Sequence, residues 1–255
     1  MRIRHFSFAV ASLGILSASA CSSGPKKMTH EERARTFVEV ANGALSEGDP
    51  VGALQALVKA EEEGVDLPEI HHMRAIAYTY RKDLEHALEE ARKAVALAPN
   101  FAEAQNTLGK LLIDKGSLDE AIPHLKASVA DPLYRSSFKP YSNLGILFYR
   151  RGDYTQARTN FDRAIDSNPM AACVAYYYRG HLGVRSGRLH DAIRDYTQAT
   201  HRMCADFRDA HLALGIAYER SRDFDHARRK YLEIGQRFPD TPTAEQAYVH
   251  LRDLP

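Results

Sequence analysis

Residues 144–169 read LGILFYRRGDYTQARTNFDRAIDSNP, two short amphipathic segments separated by a polar turn. Apolar side chains recur three or four positions apart on each side of Gly152, which is the spacing of one helix face. Asp153 suits the start of the second helix, and Pro169 suits its end. The Tyr, Arg and Asn side chains between the apolar positions are therefore interpreted as spacers rather than as a reactive cluster. The stretch predicts one helical hairpin.

The same pattern recurs along the chain at an almost fixed interval. A small residue in the first helix of each hairpin returns after every 34 to 36 residues, which is the mark of a repeat architecture. These residues are Ala41, Ala75, Gly109, Gly145, Gly180 and Gly215. The second helices carry Ala53, Ala87, Ala121, Ala157, Ala192 and Ala227, and four positions later Leu57, Ala91, Leu125, Phe161, Tyr196 and Tyr231.

Small residues on facing helices let the two backbones approach closely, and the larger residues fill the space toward the next hairpin. One hairpin buries too little surface alone, so neighbours must stack. The pattern resembles the tetratricopeptide repeat. The resemblance implies an all-α, right-handed superhelical solenoid of six repeats over residues 34–241, with residues 242–255 as a C-terminal capping helix. A non-repeat helical bundle is the alternative, and six matches at one period disfavour it.

Residues that start and interrupt helices fit this frame. Asp49 before Pro50 suits an N-cap followed by the first helical position. Ser117 with Glu120 predicts a capping box, and Pro123 predicts a mild kink inside a second helix. Asp83, Asp153 and Asp223 occupy the equivalent cap, which Arg188 breaks in repeat five.

The N-terminus has the pattern of a signal peptide over residues 1–20: a basic start, then an apolar run too short to span a bilayer. The sequence ASAC before the expected cut resembles a bacterial lipobox, with Ala18 in place of the usual Leu. The resemblance implies acylation of Cys21, carrying palmitate among its acyl chains. Plain secretion with an unmodified Cys21 is the alternative. Ser22 after the cysteine favours the outer membrane, where the chain would hang by its lipid and face the periplasm.

Residues 21–33 are expected to form the lipidated N-terminus and a short polar tether. Without the signal peptide, 32 Lys and Arg balance 33 Asp and Glu. A net charge this close to zero gives no reason to expect nucleic acid as a partner.

The sequence contains no recognisable catalytic or cofactor-binding motif. Nucleophile-elbow, phosphate-loop and dinucleotide patterns are absent. The 12 histidines show no metal-ligand spacing, and the adjacent His71 and His72 point about 100° apart on a helix. We expect surface or groove histidines, no metal, no cofactor, no small-molecule substrate and no enzymatic activity.

Cys173 and Cys204 are the remaining cysteines. In the repeat frame Cys173 begins the first helix of repeat five, and Cys204 follows the end of its second helix. Antiparallel helices bring these ends together, so a disulfide is geometrically reasonable and an oxidising periplasm permits it. Two free buried thiols are the alternative.

Without a catalytic set, function is expected on the concave face that first helices line. The candidate partner-binding residues are Val38, Asn42, His72, Ile76, Asn106, Lys110, Ile113, Ile146, Tyr149, Arg150, Tyr177, His181, Leu212 and Ile216, with Arg185 nearby. A clamp for a peptide carboxylate is disfavoured, because only Asn42 matches and the lysines of such clamps are missing. The Ile, Leu and Tyr side chains favour an amphipathic helix or strand. The alternative is that several of them only pack against neighbouring repeats.

A signal peptide, an acylated cysteine, a tether and six repeats resemble the PilF/PilW/Tgl group of type IV pilus lipoproteins. The resemblance implies a pilotin that binds the secretin subunit and promotes its localisation or multimer assembly in the outer membrane. A periplasmic scaffold for another envelope complex, in peptidoglycan synthesis or outer-membrane protein assembly, is the main alternative. A regulator of an envelope enzyme is a third.

Overall fold

The computed structural model describes residues 27–255, so the predicted signal peptide and the predicted lipidation site Cys21 lie outside the described residues. Thirteen α-helices and one 3-10 turn make up the secondary structure of this part of the chain. The helices are α1 His30–Ser46, α2 Pro50–Glu62, α3 Pro68–Tyr80, α4 Leu84–Leu97, α5 Ala102–Lys115, α6 Leu118–Ala130, α7 Phe138–Arg150, α8 Tyr154–Ser167, α9 Cys173–Arg185, α10 Leu189–Gln198, α11 Arg208–Arg220, α12 Phe224–Arg237 and α13 Pro242–Asp253. The 3-10 turn is Arg202–Cys204.

Consecutive helices pair along the whole chain, from α1 with α2 to α11 with α12, and each second helix also packs on the next first helix. First helices of neighbouring repeats also contact each other, for example α1 with α3 and α5 with α7. Because the first helices come closer together than the second helices do, they line the inner side of the curve. The all-α solenoid predicted from the repeat is therefore present.

In repeats three to six, a glycine of the first helix faces a large side chain of the second helix. A Cβ on Gly145 would lie 2.3 Å from the Phe161 ring, and one on Gly180 would lie 2.5 Å from the Tyr196 ring. Both rings are almost fully buried. Repeat one solves the same problem differently, because Ala41 is paired with the smaller Leu57. In repeats four to six, where the first helix has glycine, the facing residue of the second helix is therefore an aromatic one.

Most predicted helix starts are present, with one exception. The Asp49 side chain accepts from two backbone N–H groups of α2, and Asp83, Asp153 and Asp223 each cap a second helix. The capping box at Ser117 and Glu120 was wrong. The Ser117 side chain makes no cap hydrogen bond, and Glu120 instead accepts from Arg92 of α4 at 3.0 Å. The glutamate is therefore used in a contact between repeats rather than at its own helix end.

The first helix begins earlier than the predicted boundary at residue 34. Thr29 caps α1 through a capping box, accepting from the Glu32 N–H while the Glu32 carboxylate accepts from the Thr29 N–H. Arg33 then pairs with Glu63 at the end of α2. The end of the segment expected to be tether is thus folded onto the first repeat.

A largely buried histidine joins the two helices of repeat two to the connection that precedes them. The His71 Nδ1 lies 2.6 Å from a Glu90 carboxylate oxygen, and Nε2 lies 2.8 Å from Asp66. Carboxylates only accept, so both ring nitrogens must carry a proton. The hydrogen bond to Glu90 raises the pKa of His71, and although burial opposes it, the hydrogen bonds from His71 and Lys93 hold the pKa of Glu90 at about 2. His71 is therefore a structural cation and not the surface or groove histidine that was expected.

We predict that Gly145→Ala destabilises the fold by roughly 1–3 kcal/mol, because its methyl group collides with the Phe161 ring. Adding Phe161→Leu, which imitates the Ala41–Leu57 pair, should restore part of that loss. Gly43→Ala is the matched control, since nothing lies within 4 Å of its Cβ position in α1 and Ala is the better helix former. Urea unfolding measures all three variants, and equal loss in Gly43→Ala and Gly145→Ala would contradict the packing argument.

We predict a pH-dependent cost for His71→Gln. A pKa raised by folding means that the stabilisation is fully present below the unfolded-state value near 6.5 and is lost as the pH rises through the folded-state value. The stability difference between wild type and variant should therefore shrink from pH 5.5 to pH 8.5 in urea titrations. His190→Gln, at an exposed histidine, is the control. A difference that stays constant with pH would rule out a charged His71.

Candidate protein-binding groove

The structure divides the predicted groove residues into two groups. Four of them are buried between repeats and present little surface to a partner: Val38, His72, Asn106 and Ile113. The other ten are half-buried or exposed: Asn42, Ile76, Lys110, Ile146, Tyr149, Arg150, Tyr177, His181, Leu212 and Ile216. The first group corrects the prediction, because these side chains hold neighbouring repeats together.

His72 and Asn106 show why polar groove candidates became packing residues. The His72 Nε2 lies 3.0 Å from the Thr107 hydroxyl, and its ring meets the Phe101 ring edge-on. Burial lowers the pKa of His72 to about 4, so the ring is neutral at physiological pH. The Asn106 Oδ1 accepts from Asn143 of the next repeat at 2.9 Å. Each side chain thus makes one polar contact between neighbouring first helices, and the His72 Nδ1 is buried without a hydrogen-bond partner.

The middle repeats contribute less free surface than expected. Tyr149 packs edge-on against Tyr154 and Tyr178, with ring centroids 5.6 and 5.5 Å away. Arg150 donates to the backbone oxygen of Ile113 at 2.6 Å, which ties repeat four to repeat three. Both residues therefore belong as much to the packing as to the groove.

The best-formed concave cavity lies between repeats five and six. Its volume is about 310 Å³. It unites the predicted Tyr177, His181, Leu212 and Ile216 with Val184, Tyr196, Asp209, Ala213, Ala217, Arg220 and Gln246. Most of this lining is apolar or aromatic, as in sites that take apolar side chains of a ligand. Arg185, expected nearby, instead lies over the Tyr154 ring at 4.3 Å and lines a different cavity.

The cavity exists because α9 and α11 are set apart. Pairs of first helices such as α5 with α7 touch at several residues, whereas α9 and α11 do not pack in this way. The connection between α10 and α11 runs from residue 199 to residue 207 and includes the 3-10 turn. Side chains of α9 and α11 line the groove across the gap between these two helices.

The aromatic side chains of this cavity are held in their neutral forms by burial. Burial raises the pKa of Tyr177 to about 12 and lowers the pKa of His181. The His181 ring lies edge-on to Tyr177 at 4.4 Å and to Tyr196 at 5.5 Å, so the aromatic side chains hold one another. Arg220 supplies the one cation of the lining and Asp209 the one anion. Such a site favours an apolar segment with a polar flank.

A smaller cavity of about 180 Å³ lies along the same face, where repeats three, four and five meet. The predicted Asn106 and Lys110 line it together with Lys139 and Asn143. Lys110 pairs with Asp114 at 2.8 Å, whereas Lys139 forms no ion pair within residues 27–255. The middle of the groove is therefore more basic than its C-terminal part.

The two cysteines lie beside the wide part of the groove and are joined in the structure. The Cα atoms of Cys173 and Cys204 are 5.4 Å apart, within the range that a disulfide requires. The bridge ties the first residue of α9 to the 3-10 turn before α11. It therefore fixes the connection that sets α9 and α11 apart.

Several residues that line the cavity between repeats five and six were not predicted from the sequence, although one of them, Arg220, lies at a recognisable repeat position. Arg220 stands at the repeat position that Arg150 and Arg185 occupy, five residues after the small residue of the first helix. The same register that selected Arg150 would have selected Arg220. Tyr196, on a second helix, and Gln246, on α13, carried no such signal, because their place in the lining depends on the spacing of α9 and α11.

Within residues 27–255, no group of three His, Cys, Asp or Glu side chains is arranged to hold a metal ion. None of the helices in this part of the chain combines the length and hydrophobicity needed to cross a bilayer. What the described residues offer is a curved surface with an apolar cavity, which can bind a segment of another protein.

The family model of the tetratricopeptide repeat matches residues 72–135, 142–182 and 177–242, which is more than half of the chain. The chain therefore belongs to the tetratricopeptide repeat family. Proteins of this fold are scaffolds for contacts between proteins.

Known relatives include proteins from bacteria and from human. Type IV pilus assembly protein PilF of Pseudomonas aeruginosa is 26% identical over 145 residues, which cover 57% of this chain and 58% of PilF. Tetratricopeptide repeat protein 13 of Homo sapiens is 27% identical over 195 residues, covering 74% of this chain and 22% of the human protein. The chain thus spans less than two thirds of either relative.

Solved structures share the fold over greater lengths. PilW, a type IV pilus biogenesis factor, superposes with a TM-score of 0.72 at 19% identity, over 84% of this chain and 98% of PilW. The structure of Pseudomonas aeruginosa PilF superposes with a TM-score of 0.70 at 19% identity, over 88% of this chain and 100% of PilF. At this identity the likeness establishes the same arrangement of repeats.

We predict that reducing the Cys173–Cys204 disulfide lowers the free energy of unfolding by roughly 3–4 kcal/mol, because the bond closes a loop of about 31 residues in the unfolded chain. Urea unfolding with and without reductant measures the loss. The double variant Cys173→Ser with Cys204→Ser should show the lower stability in both conditions. If reductant leaves the wild type unchanged, the thiols are free in the purified protein.

Proposed function

We propose that this protein is a pilotin: an outer-membrane lipoprotein, anchored through Cys21 and facing the periplasm, that binds the secretin subunit of a type IV pilus machine. The proposal is carried by the likeness to PilF in sequence. The fold shared with PilW and PilF over nearly their whole solved length supports it. A signal-peptide pattern and the lipobox-like ASAC of residues 18–21, which ends in Cys21, support the anchor.

The groove suggests how the subunit is held. An unassembled membrane protein exposes apolar segments, and the cavity around Tyr177, Leu212 and Ile216 offers an apolar surface of matching size. At about 310 Å³ it takes one or two large side chains of an extended or helical segment. Arg220 and Asp209 at this site then orient the polar flank of that segment. Binding would shield the subunit while the lipid keeps it at the membrane.

Release follows from the same chemistry. The surface of a single cavity supports only moderate affinity, because most of the interaction energy comes from a few buried side chains. Secretin subunits that pair with one another bury the same apolar segments, so assembly competes with the groove. A pilotin of this kind lowers aggregation before assembly without trapping the product.

We predict that Leu212→Asp with Ile216→Asp weakens secretin capture by at least about tenfold, since each change places a charge in an apolar site. Val58→Asp is the matched control, because Val58 is an exposed valine of the second helix α2. Co-purification from detergent-solubilised membranes and the amount of heat-resistant secretin multimer are the two readouts. Far-ultraviolet circular dichroism checks that each variant keeps its helices.

Deletion of the gene that encodes this protein distinguishes a pilotin from a scaffold of another envelope complex. Loss of secretin multimers and of surface pili, restored by the wild type, is the expected result. Normal multimers in the deletion strain would refute the pilotin. Capture of peptidoglycan-synthesis or outer-membrane-assembly proteins in place of secretin would instead assign the groove to a scaffold for another envelope complex.

A further inference from the structure

The two long edges of the solenoid differ in chemistry. One edge holds the turns inside each helix pair, residues 47–49, 81–83, 116–117, 151–153, 186–188 and 221–223, which contain only glycine and polar or charged residues. The opposite edge holds the connections from one pair to the next. Three successive connections, residues 131–137, 168–172 and 199–207, are named here the connecting edge.

The connecting edge exposes large apolar side chains. Leu133 is 84% exposed and Met203 is 68% exposed, the two highest values among large hydrophobic residues in the described chain. Met170 lies between them in the series of loops and is 49% exposed, and its backbone oxygen lies 3.7 Å from Cys204 Sγ. What distinguishes these side chains is that they recur on three successive loops of one edge, so that edge offers several apolar contacts to one extended surface.

Each of the two most exposed residues has an arginine in the same loop, Arg135 two residues after Leu133 and Arg202 directly before Met203. Arg135 and Arg202 are exposed and form no ion pair within residues 27–255. The acidic residues of the same loops are engaged: Asp131 accepts from the Leu133 N–H at 2.8 Å, and Asp206 pairs with Arg237 at 3.1 Å. The connecting edge thus presents apolar tips flanked by free guanidinium groups, the chemistry that suits a phospholipid interface.

The chain enters the fold at this same edge. Connections lead into first helices, and α1 is a first helix that begins after Thr29. Cys21 stands eight residues before Thr29, so the intervening chain can span at most about 28 Å. A lipid on Cys21 would therefore be attached at the connecting-edge side of the fold, where α1 begins.

We propose that the connecting edge lies on the phospholipid bilayer, with Leu133 and Met203 inserted in its interfacial layer and Arg135 and Arg202 on lipid phosphates. This inference rests on the lipidation of Cys21 in the proposed function. In this orientation the helices stand on the membrane and the groove runs along its surface. A partner segment would then be received beside the bilayer into which it must insert.

The test uses the full lipidated chain in vesicles of phosphatidylethanolamine and phosphatidylglycerol at 3:1. Leu133→Cys carries an environment-sensitive fluorophore, and Arg81→Cys carries the same fluorophore on the polar edge as the matched control. We expect a blue shift and at least threefold stronger quenching by nitroxide-bearing lipids at position 133. Equal quenching at both positions, with the Leu133 label in water, would overturn the proposal.

A second pair of variants tests the chemistry of the contact. Arg202→Glu with Met203→Glu, in the neighbouring loop, should reduce quenching of the Leu133 label at least twofold. Arg222→Glu is the control. Arg222 and Arg202 both have a positive φ, 61° and 52°, but Arg222 lies in a turn of the polar edge. Unchanged quenching in the double variant would contradict insertion of this edge. Unchanged thermal unfolding confirms that the labelled chains are folded.

Failure of this inference and failure of the proposed function give different results. Vesicle flotation with normal secretin multimers but an unquenched label refutes the membrane contact alone. Quenching at position 133 together with normal multimers in the deletion strain refutes the pilotin and supports the contact. A label that is protected only when secretin is added assigns the connecting edge to a protein partner, against the proposal. Loss of flotation in the wild type refutes the anchor and the contact together.

Discussion

Close approach of two helices at a missing side chain is the constraint on which the rest of the structure depends. Where a first helix has glycine, the second helix supplies a leucine, phenylalanine or tyrosine that occupies the vacated space, as Phe161 does over Gly145. Each contact fixes the distance within a pair, and the pair in turn presents a fixed surface to the next. The contact recurs in four of the six pairs, and the first helices of most neighbouring pairs then meet along the inner side of the curve.

The groove results from local departures from that regularity. In the N-terminal half, residues such as His72 and Asn106 bond from one first helix to the next and close the inner surface. Between α9 and α11 the longer connection prevents this, and Tyr177 and Ile216 face a cavity instead. The disulfide between Cys173 and Cys204 ties this connection to the start of α9. Binding surface is thus created where packing between repeats is interrupted.

The same irregular connections link the two proposed activities. The stretch 199–207 opens the cavity on the concave side and carries Met203 on the connecting edge. If the edge rests on lipid, the cavity opens next to the membrane, and capture of an apolar segment and its delivery occur in one place. The polar turns on the opposite edge, such as residues 151–153, would face the periplasm. The difference between the apolar connecting edge and the polar opposite edge would then orient the protein on the membrane.

The sequence by itself determined the helix pairs and their small and large contact residues, because these follow from local periodicity. It placed the two cysteines at the ends of one helix pair but left open whether they are joined. It did not separate packing from binding at the inner positions. Val38, His72 and Asn106 occupy the same register as Tyr177 and Leu212, three residues before the small residue of each first helix, yet only the latter pair lines the cavity between repeats five and six. That difference depends on the spacing between neighbouring first helices. The spacing is set by the length and path of a connection and by contacts between repeats, which only the tertiary structure decides.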